Sequence, residues 1–539
     1  MNKKGFVKTF SLLTLLFLVL SVLGFYSSAE KETLCNNVTT VATIAATDND
    51  AITWFDGYDH GVIPNINAVQ NPEGTYCLCV VMSDGSLSVI ELNKDYSVKS
   101  SIAVPLELSE FAAFCKGDDG TYYILFAQPL TVDNRNGTAL KVVNIGTDGK
   151  KIRSLELSGM ASGSWLGIAE IHCGNNAMIT NGKYLTGYIA RDMFPVKTNP
   201  ITGKDEFTAS GRVHQSSYAF AIDLNTFSQV EADHVSAIPY ASHSFHQYIL
   251  SDGSDFVYID RGDALPARSY LITKMSGGTL WRKIAEENSF VFKGEYAYNN
   301  TYGQFGGFMR CGNKYMLTGS YQNTSDSLEE TSANIFVQMF DCETLDSEPQ
   351  FYLTDYTGDD TIINPKAVRA DEDYVAMPYM LCNSKQGVEE IHILLADNSG
   401  EVVWDKAVSG DGSDAVLPRY GQIFYDNESN SVVWFTIVNG KLNVNSVAVE
   451  LPESEETSEP TGEVTTAPEI PSSPDGVTDT TVLVTDKETT VPDITVAPTE
   501  PAPETTTKSQ QSSGSEPTIW DKIVSFFVGI WNFFMSLFK

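Results

Sequence analysis

The feature that most constrains this chain is a polar turn followed by an aromatic strand, a unit that recurs seven times. The turns are Asn71–Gly74, Gly117–Gly120, Asn181–Gly182, Ser251–Ser254, Gly312–Asn313, Asp371–Asp373 and Asp426–Asn430. The residues opening the next strand are Tyr76, Tyr122, Tyr184, Phe256, Tyr315, Tyr374 and Val433, at successive separations of 46, 62, 72, 59, 59 and 59 residues. A spacing that settles on one value marks a structural repeat. Ser242–Arg268, SHSFHQYILSDGSDFVYIDRGDALPAR, shows the unit: a strand at His246–Leu250, the turn, a second strand at Phe256–Ile259, then the charged loop Asp260–Arg268. Each unit continues into a second hairpin, as in IELNKDYSVKSSI and LLADNSGEVVW.

Two hairpins per unit make four antiparallel strands. Such units set radially leave only short, protected edges, so the expected fold is all-β, a seven-bladed β-propeller over residues 30–450. The last unit, SVVWFTIVNGKLNVNSVAVEL, lacks an outer strand, and Val38–Phe55 is expected to supply it and close the ring. LLADNSGEVVW and ITKMSGGTLW resemble blade hairpins of quinoprotein and WD-type propellers, where a turn with Gly precedes a packing Trp. GRVHQSS, SHSFHQ and RGDALPAR resemble motifs of uncharacterised secreted bacterial β-propeller proteins. These resemblances imply a fold and no particular chemistry.

Residues 1–29 read as a secretory signal peptide: Lys3, Lys4 and Lys8, an apolar run Phe10–Phe25, and the small residues Ser27-Ser28-Ala29. Export permits disulfides, yet the spacing of the eight Cys does not form a small disulfide scaffold. Cys77 and Cys79 share one side of a strand; a redox pair is conceivable there, and buried packing is the plainer reading. Formal charge is −34, and no basic stripe exists, so nucleic acid is not expected as a partner. From Leu451 to Pro517 the chain holds 14 acids against Lys487 and Lys508, is rich in Thr, Pro, Ser and Glu, and has no aromatic residue. Such a segment reads as a disordered stalk. Residues 518–539, TIWDKIVSFFVGIWNFFMSLFK, read as a C-terminal amphipathic helix attached to a membrane interface, and a short span is the alternative. The expected location is therefore extracellular, attached to the cell envelope.

In a four-stranded meander, the second-to-third loops and the links between units lie on one face. Those connections are the long ones here, including Arg191–Gln215, Ser236–His243, Asp260–Arg268 and Tyr298–Gly307. Five of the seven His fall between His172 and His246, alongside Arg191, Arg212, Arg261 and Arg268. The candidate ligand-binding residues are Arg191, His214, Gln215, His243, His246, Gln247, Asp260, Asp263 and Arg268. Arginine pairs carboxylates bidentately, and an imidazole beside an amide suits sugar hydroxyls. The favoured function is extracellular recognition of a glycan or peptide, with binding that strengthens from about pH 8 to pH 6 as His protonates. An assembly scaffold at the envelope is an alternative. A His/Arg/Tyr polysaccharide lyase using Tyr188 is another, and Asp260 with Asp263 are the acids a glycosidase would need. No G-x-S-x-G, HExxH or phosphate loop occurs, and no metal or cofactor is expected. Arg261-Gly262-Asp263 spells an integrin tripeptide but reads as a turn.

Overall fold

The turns form because their side chains fold back on their own backbone. Asp119 Oδ1 accepts the Thr121 N–H at 3.0 Å, and Gly120 takes φ +78° beside it. Asp397 Oδ1 accepts the N–H groups of Ser399 and Glu401 at 2.8 and 2.9 Å. At Gly400, φ +86°, a Cβ would sit 2.4 Å from the Phe351 ring, so the turn both needs the left-handed backbone and leaves no space for a side chain.

The computed structural model describes residues 33–44, 65–129, 137–157, 165–167, 175–198, 201–202, 205–207, 214–230, 246–262, 269–276, 282–283, 289–290, 303–322, 332–383, 387–409 and 417–452. Their regular elements are all strands. Sheet 1 is Ile66–Gln70, Tyr76–Val81, Leu87–Leu92 and Val98–Val104, in that order and antiparallel. Sheet 2 is Glu110–Lys116, Tyr122–Ala127, Leu140–Ile145 and Lys151–Glu156. Sheet 3 is Ala177–Thr180, Tyr184–Thr198, His214–Asp223 and Ser228–Gln229, with Trp165–Gly167 and Asp205–Phe207 paired to its long second strand. Sheet 4 is Tyr248–Asp252, Asp255–Gly262, Ser269–Ser276 and Arg282–Lys283, with Ser289–Phe290 paired to its third strand. Sheet 5 is Gln304–Cys311, Lys314–Gln322, Ala333–Asp341 and Phe351–Tyr352. Sheet 6 has a first strand in two pieces, Asp360–Ile363 and Val368–Arg369, then Tyr374–Asn383, Gly387–Asp397 and Val402–Ser409. Sheet 7 is Ile423–Asp426, Ser431–Val438, Lys441–Ala448 and, from the other end of the chain, Thr33–Thr43.

Side chains alternate across each second strand, and the two faces pack on different neighbours. Tyr76, Leu78 and Val80 join Val433, Phe435 and Val444 of sheet 7, whereas Cys77 and Cys79 join Phe114, Ile124 and Phe126 of sheet 2. The same holds from sheet 2 to 3, 3 to 4, 4 to 5, 5 to 6 and 6 to 7. Among the described residues, each apolar cluster is thus shared by two consecutive sheets, and the last returns to the first. The repeat aromatics sit in these interfaces, and Tyr76, Tyr122, Tyr184, Phe256 and Tyr315 are all buried. Tyrosine adds a polar tie to the preceding sheet: Tyr122 donates to Glu91 Oε1 at 2.9 Å, and Tyr315 donates to Asp252.

The strand that completes sheet 7 runs over Thr33–Thr43, so it takes in Val38–Thr43 of the expected segment and starts upstream of it, while residues 45–55 lie outside the described residues. It pairs antiparallel with Lys441–Ala448, and its first residues pair in parallel with Ala407–Ser409 of sheet 6. The register is set by polar pairs that a one-residue slip would break. Asn36 Nδ2 donates to Asn445 Oδ1 at 3.2 Å, Thr40 donates to Asn443 Oδ1 at 2.9 Å, and Ser409 donates to the Leu34 carbonyl at 2.9 Å. The described residues of Arg191–Gln215, expected as a loop, are largely strand: Arg191 lies opposite Ser216 and Met193 opposite His214. Cys77, Cys79, Cys115, Cys311, Cys342 and Cys382 are buried free thiols and Cys35 is an exposed one, while Cys173 lies outside the described residues. Burial pushes the Cys311 thiol up to about 11 and those of Cys77 and Cys79 higher, which opposes the redox-pair reading. The segments expected to be a signal peptide (1–29), a stalk (451–517) and a C-terminal helix (518–539) lie outside the described residues, apart from Leu451 and Pro452.

Removing residues 33–44 is expected to leave the edge of Lys441–Ala448 open and to make residues 417–452 the first site of limited proteolysis. Digestion at the rate of the intact chain would show that the strand is not what closes the assembly.

Candidate functional site

The alternation along Asp255–Gly262 sends neighbouring charged residues to opposite sides. Asp260 shares the face of Phe256 and Tyr258, which pack on sheet 3, while Arg261 shares the face of Val257 and Ile259, which pack toward sheet 5. Asp260 is fully buried. Its Oδ1 accepts Gln247 Nε2 at 3.0 Å, and its Oδ2 accepts the Tyr188 hydroxyl at 3.3 Å. Burial holds its carboxyl well above the usual carboxylate range despite those donors and the N–H groups of Arg261 and His246. The same burial raises the Tyr188 phenol.

On the other side lies a small, partly open pocket lined by His246, Arg261, Gly303, Gln304, Phe305, Arg419 and Tyr420. It is built at corresponding ends of successive sheets. His246 precedes the first strand of sheet 4, Gln304 and Phe305 begin that of sheet 5, and Arg419 and Tyr420 precede sheet 7, with Lys366, in the break of sheet 6, behind Arg419 and not in the lining. The His246 ring lies 4.7 Å from Phe305 and 5.3 Å from Tyr420, centroid to centroid. The Arg419 guanidinium stands 5.1 Å over the Tyr420 ring. Lys366 is buried, and its Nζ donates to the Arg419 carbonyl. Burial and then the Arg419 charge pull its amine down to about 7. Burial and then Lys366, Arg419 and Arg261 hold the His246 imidazole well below its usual range, so it stays neutral. The site therefore concentrates positive charge on a protein whose formal charge is −34.

Of the residues expected to form a site, His246 lies in this pocket, and Gln247 and Asp260 lie buried behind it. Arg191 is on sheet 3, its guanidinium 5.5 Å over the Tyr218 ring. His214 and Gln215 begin the third strand of sheet 3, opposite Met193 and Asp192. His243, Asp263 and Arg268 lie outside the described residues. The pH response expected of His246 needs correction, because burial and then the surrounding cations keep it from protonating near pH 6. Tyr188 and Asp260 are tied to one another inside a sheet interface, which removes them from the lyase and glycosidase readings. Gln304, Phe305, Lys366, Arg419 and Tyr420 were not among the expected residues. His246, Phe305 and Asn364 fall 59 residues apart, so the repeat spacing itself held the signal that a search for His-rich segments passed over. Among the described residues no three His, Cys, Asp or Glu side chains gather as a metal-ligand set.

No family model matches the sequence, and no curated protein matches it. Solved structures do resemble the fold at a distance. A variant of Synechocystis apocarotenoid oxygenase aligns at 10% identity and TM-score 0.36, covering 68% of this chain and 74% of that one. An α-L-arabinofuranosidase of Fusarium graminearum aligns at 9% and 0.34, covering 63% and 92%, and a variant of NanB sialidase from Streptococcus pneumoniae at 8% and 0.33, covering 74% and 70%. The chain has distant structural similarity to β-propeller proteins, too remote to carry any chemistry across.

The buried acid supplies a stability test. Asp260→Ala should cost about 2–6 kcal/mol, since two buried donors each lose a partner at roughly 1–3 kcal/mol. Asp260→Asn should cost much less. A raised folded pKa gives stabilisation that is complete below the unfolded value of 3.8 and is lost as pH rises through the folded value. His246, held low, contributes oppositely: complete above 6.5 and lost as pH falls. Urea unfolding across pH should therefore show Asp260→Asn gaining on the wild type as pH rises; a constant difference would mean that Asp260 is ionised in the folded chain.

Proposed function

We propose that the sheets are the blades of a seven-bladed β-propeller that is exported, held at the cell envelope by residues 518–539, and used to bind an anionic glycan or peptide. The observation that carries the binding proposal is the convergence of His246 and Arg261 of sheet 4 with Arg419, just ahead of sheet 7, around one pocket, with Lys366 of sheet 6 bonded to the Arg419 carbonyl beside it. The cycle of shared apolar clusters supports the propeller. The aromatic-rich apolar composition of residues 518–539 supports the tail, which has too much aromatic surface for water and a polar stripe suited to an interface.

The cationic residues bind the anion directly, so Arg419→Ala and Arg261→Ala should each weaken binding of polygalacturonate or poly-glutamate about tenfold or more, the scale of one lost charge-assisted hydrogen bond. Equal binding by wild type and both variants, measured by calorimetry, would place the ligand elsewhere. Binding should also tighten as pH falls from about 8 to 6, because Lys366, with a pKa of about 7, gains its charge in that window while His246 stays neutral. Arg261 and Arg419 stay charged throughout. Lys366→Met should flatten that dependence, and a His246→Gln variant should keep it; the reverse pattern would make histidine the sensor.

Deleting Thr518–Lys539 should release the protein from the envelope fraction into the medium. Unchanged fractionation would sink the attachment reading.

A further inference from the structure

The fourth strand of sheet 6, Val402–Ser409, is covered unequally along its two edges. One edge pairs with the third strand from Val402 to Val408. Along the other, the described partner is Thr33–Cys35, which runs parallel with Thr33 opposite Ala407 and Cys35 opposite Ser409. The ladder on that edge is therefore joined partway along, and residues 30–32, outside the described residues, come immediately before a strand already in register. Continuing that register sets Glu32 opposite Lys406, Lys31 opposite Asp405 and Glu30 opposite Trp404.

The charges alternate in the matching sense. Residues directly opposed in neighbouring strands project to the same side of a sheet, as Leu34 and Val408 do in joining one apolar cluster. Asp405 lies 3.0 Å from His392 Nδ1, accepts the Tyr379 hydroxyl at 2.6 Å, and keeps 27% of its side chain exposed. Glu390 Oε1 stands 3.5 Å from the other nitrogen of the same ring, so the side that Lys31 would share carries two carboxylates around one imidazole. Glu32 would share the side of Lys406, whose Nζ holds the exposed Glu450 Oε2 at 3.0 Å. A slip of one residue in either direction sets like charges opposite each other, Lys31 on Lys406 with Glu30 on Asp405, or Glu32 on Asp405. The register that continues Thr33–Cys35 is thus also the one that the charges select.

Cleavage after Ala29 would make Glu30 the first residue and leave three residues ahead of Thr33, about 10 Å of strand, which reaches Trp404 and no further. We propose that residues 30–32 of the mature chain dock on this edge of sheet 6 and extend the parallel ladder to Trp404, with Lys31 against Asp405 and Glu390 and Glu32 against Lys406. Removal of the leader then completes the strand that joins sheets 6 and 7. The inference rests on the reading that residues 1–29 are cleaved from an exported chain.

The test fixes the first residue by releasing the chain from a cleavable fusion, so it does not depend on export. Backbone hydrogen–deuterium exchange over residues 404–406 should be several-fold slower in a chain starting at Glu30 than in one starting at Thr33, while Val98–Val104 of sheet 1 exchanges alike in both. In the longer chain Lys31→Glu should lose most of that protection and Lys31→Arg should keep it. Equal exchange over 404–406 in the two chains would overturn the docking. Exchange in Lys31→Glu as slow as in its parent would overturn the register, because the charge pairing selects it. N-terminal sequencing of the protein recovered from cells should return Glu30; another first residue would sink the cleavage reading, whereas the docking is decided by exchange alone.

Discussion

A β-sheet with two apolar faces cannot be left with either face in water, and every sheet here has two. That constraint orders the rest of the molecule. Tyr76, Leu78 and Val80 turn one way while Cys77 and Cys79 turn the other, and both sets are buried, so sheet 1 needs a neighbour on each side. At roughly 25 cal/mol per Å² of apolar surface removed from water, these interfaces dominate the polar ties between sheets. The ties nonetheless set how sheets align, since a misplaced Tyr122 hydroxyl or Glu91 carboxylate would be buried without a partner.

The same geometry makes a site without any dedicated element. Corresponding strand ends are brought together, so a residue type placed once per repeat is gathered into one locality. Bonds between sheets fall at the repeat spacing for this reason: Thr186 with Tyr258 and Tyr188 with Asp260 are each 72 residues apart, and Thr318 with Met377 are 59 apart. Basic residues scattered over 173 positions from His246 to Arg419 thereby become neighbours, and burial, then their mutual repulsion, lowers the basicity of Lys366 and His246.

Much of this was legible in the chain. The turn residues and the aromatic openings located every second strand, because backbone-directed Asp and Gly are local chemistry that no tertiary context had to supply. The outer strand of sheet 7 was recognised as missing but sought too far downstream, since nothing local shows that Asn36 and Thr40 would find Asn445 and Asn443 some 400 residues on. Arg191–Gln215 looked like a loop because its polar residues mask the strand pairing. The site was only partly readable. His246 stood out by residue type, whereas Arg419, Lys366 and Phe305 are ordinary residues made special by convergence, and Asp260 looked available until alternation sent it into an interface.

The strand Thr33–Thr43 has a temporal meaning as well as a spatial one. Its partners Lys441–Ala448 lie near the other end of the β-rich region, so what is synthesised first must wait for what comes almost last. During that interval an incomplete edge strand and an unpaired leading segment coexist, each offering hydrogen-bonding groups to any passing strand. The leading segment carries polar residues at much of its length, Asn36, Asn37, Thr39, Thr40 and Thr43, which keeps it soluble while it waits. An unclosed edge therefore persists until the last sheet has been made.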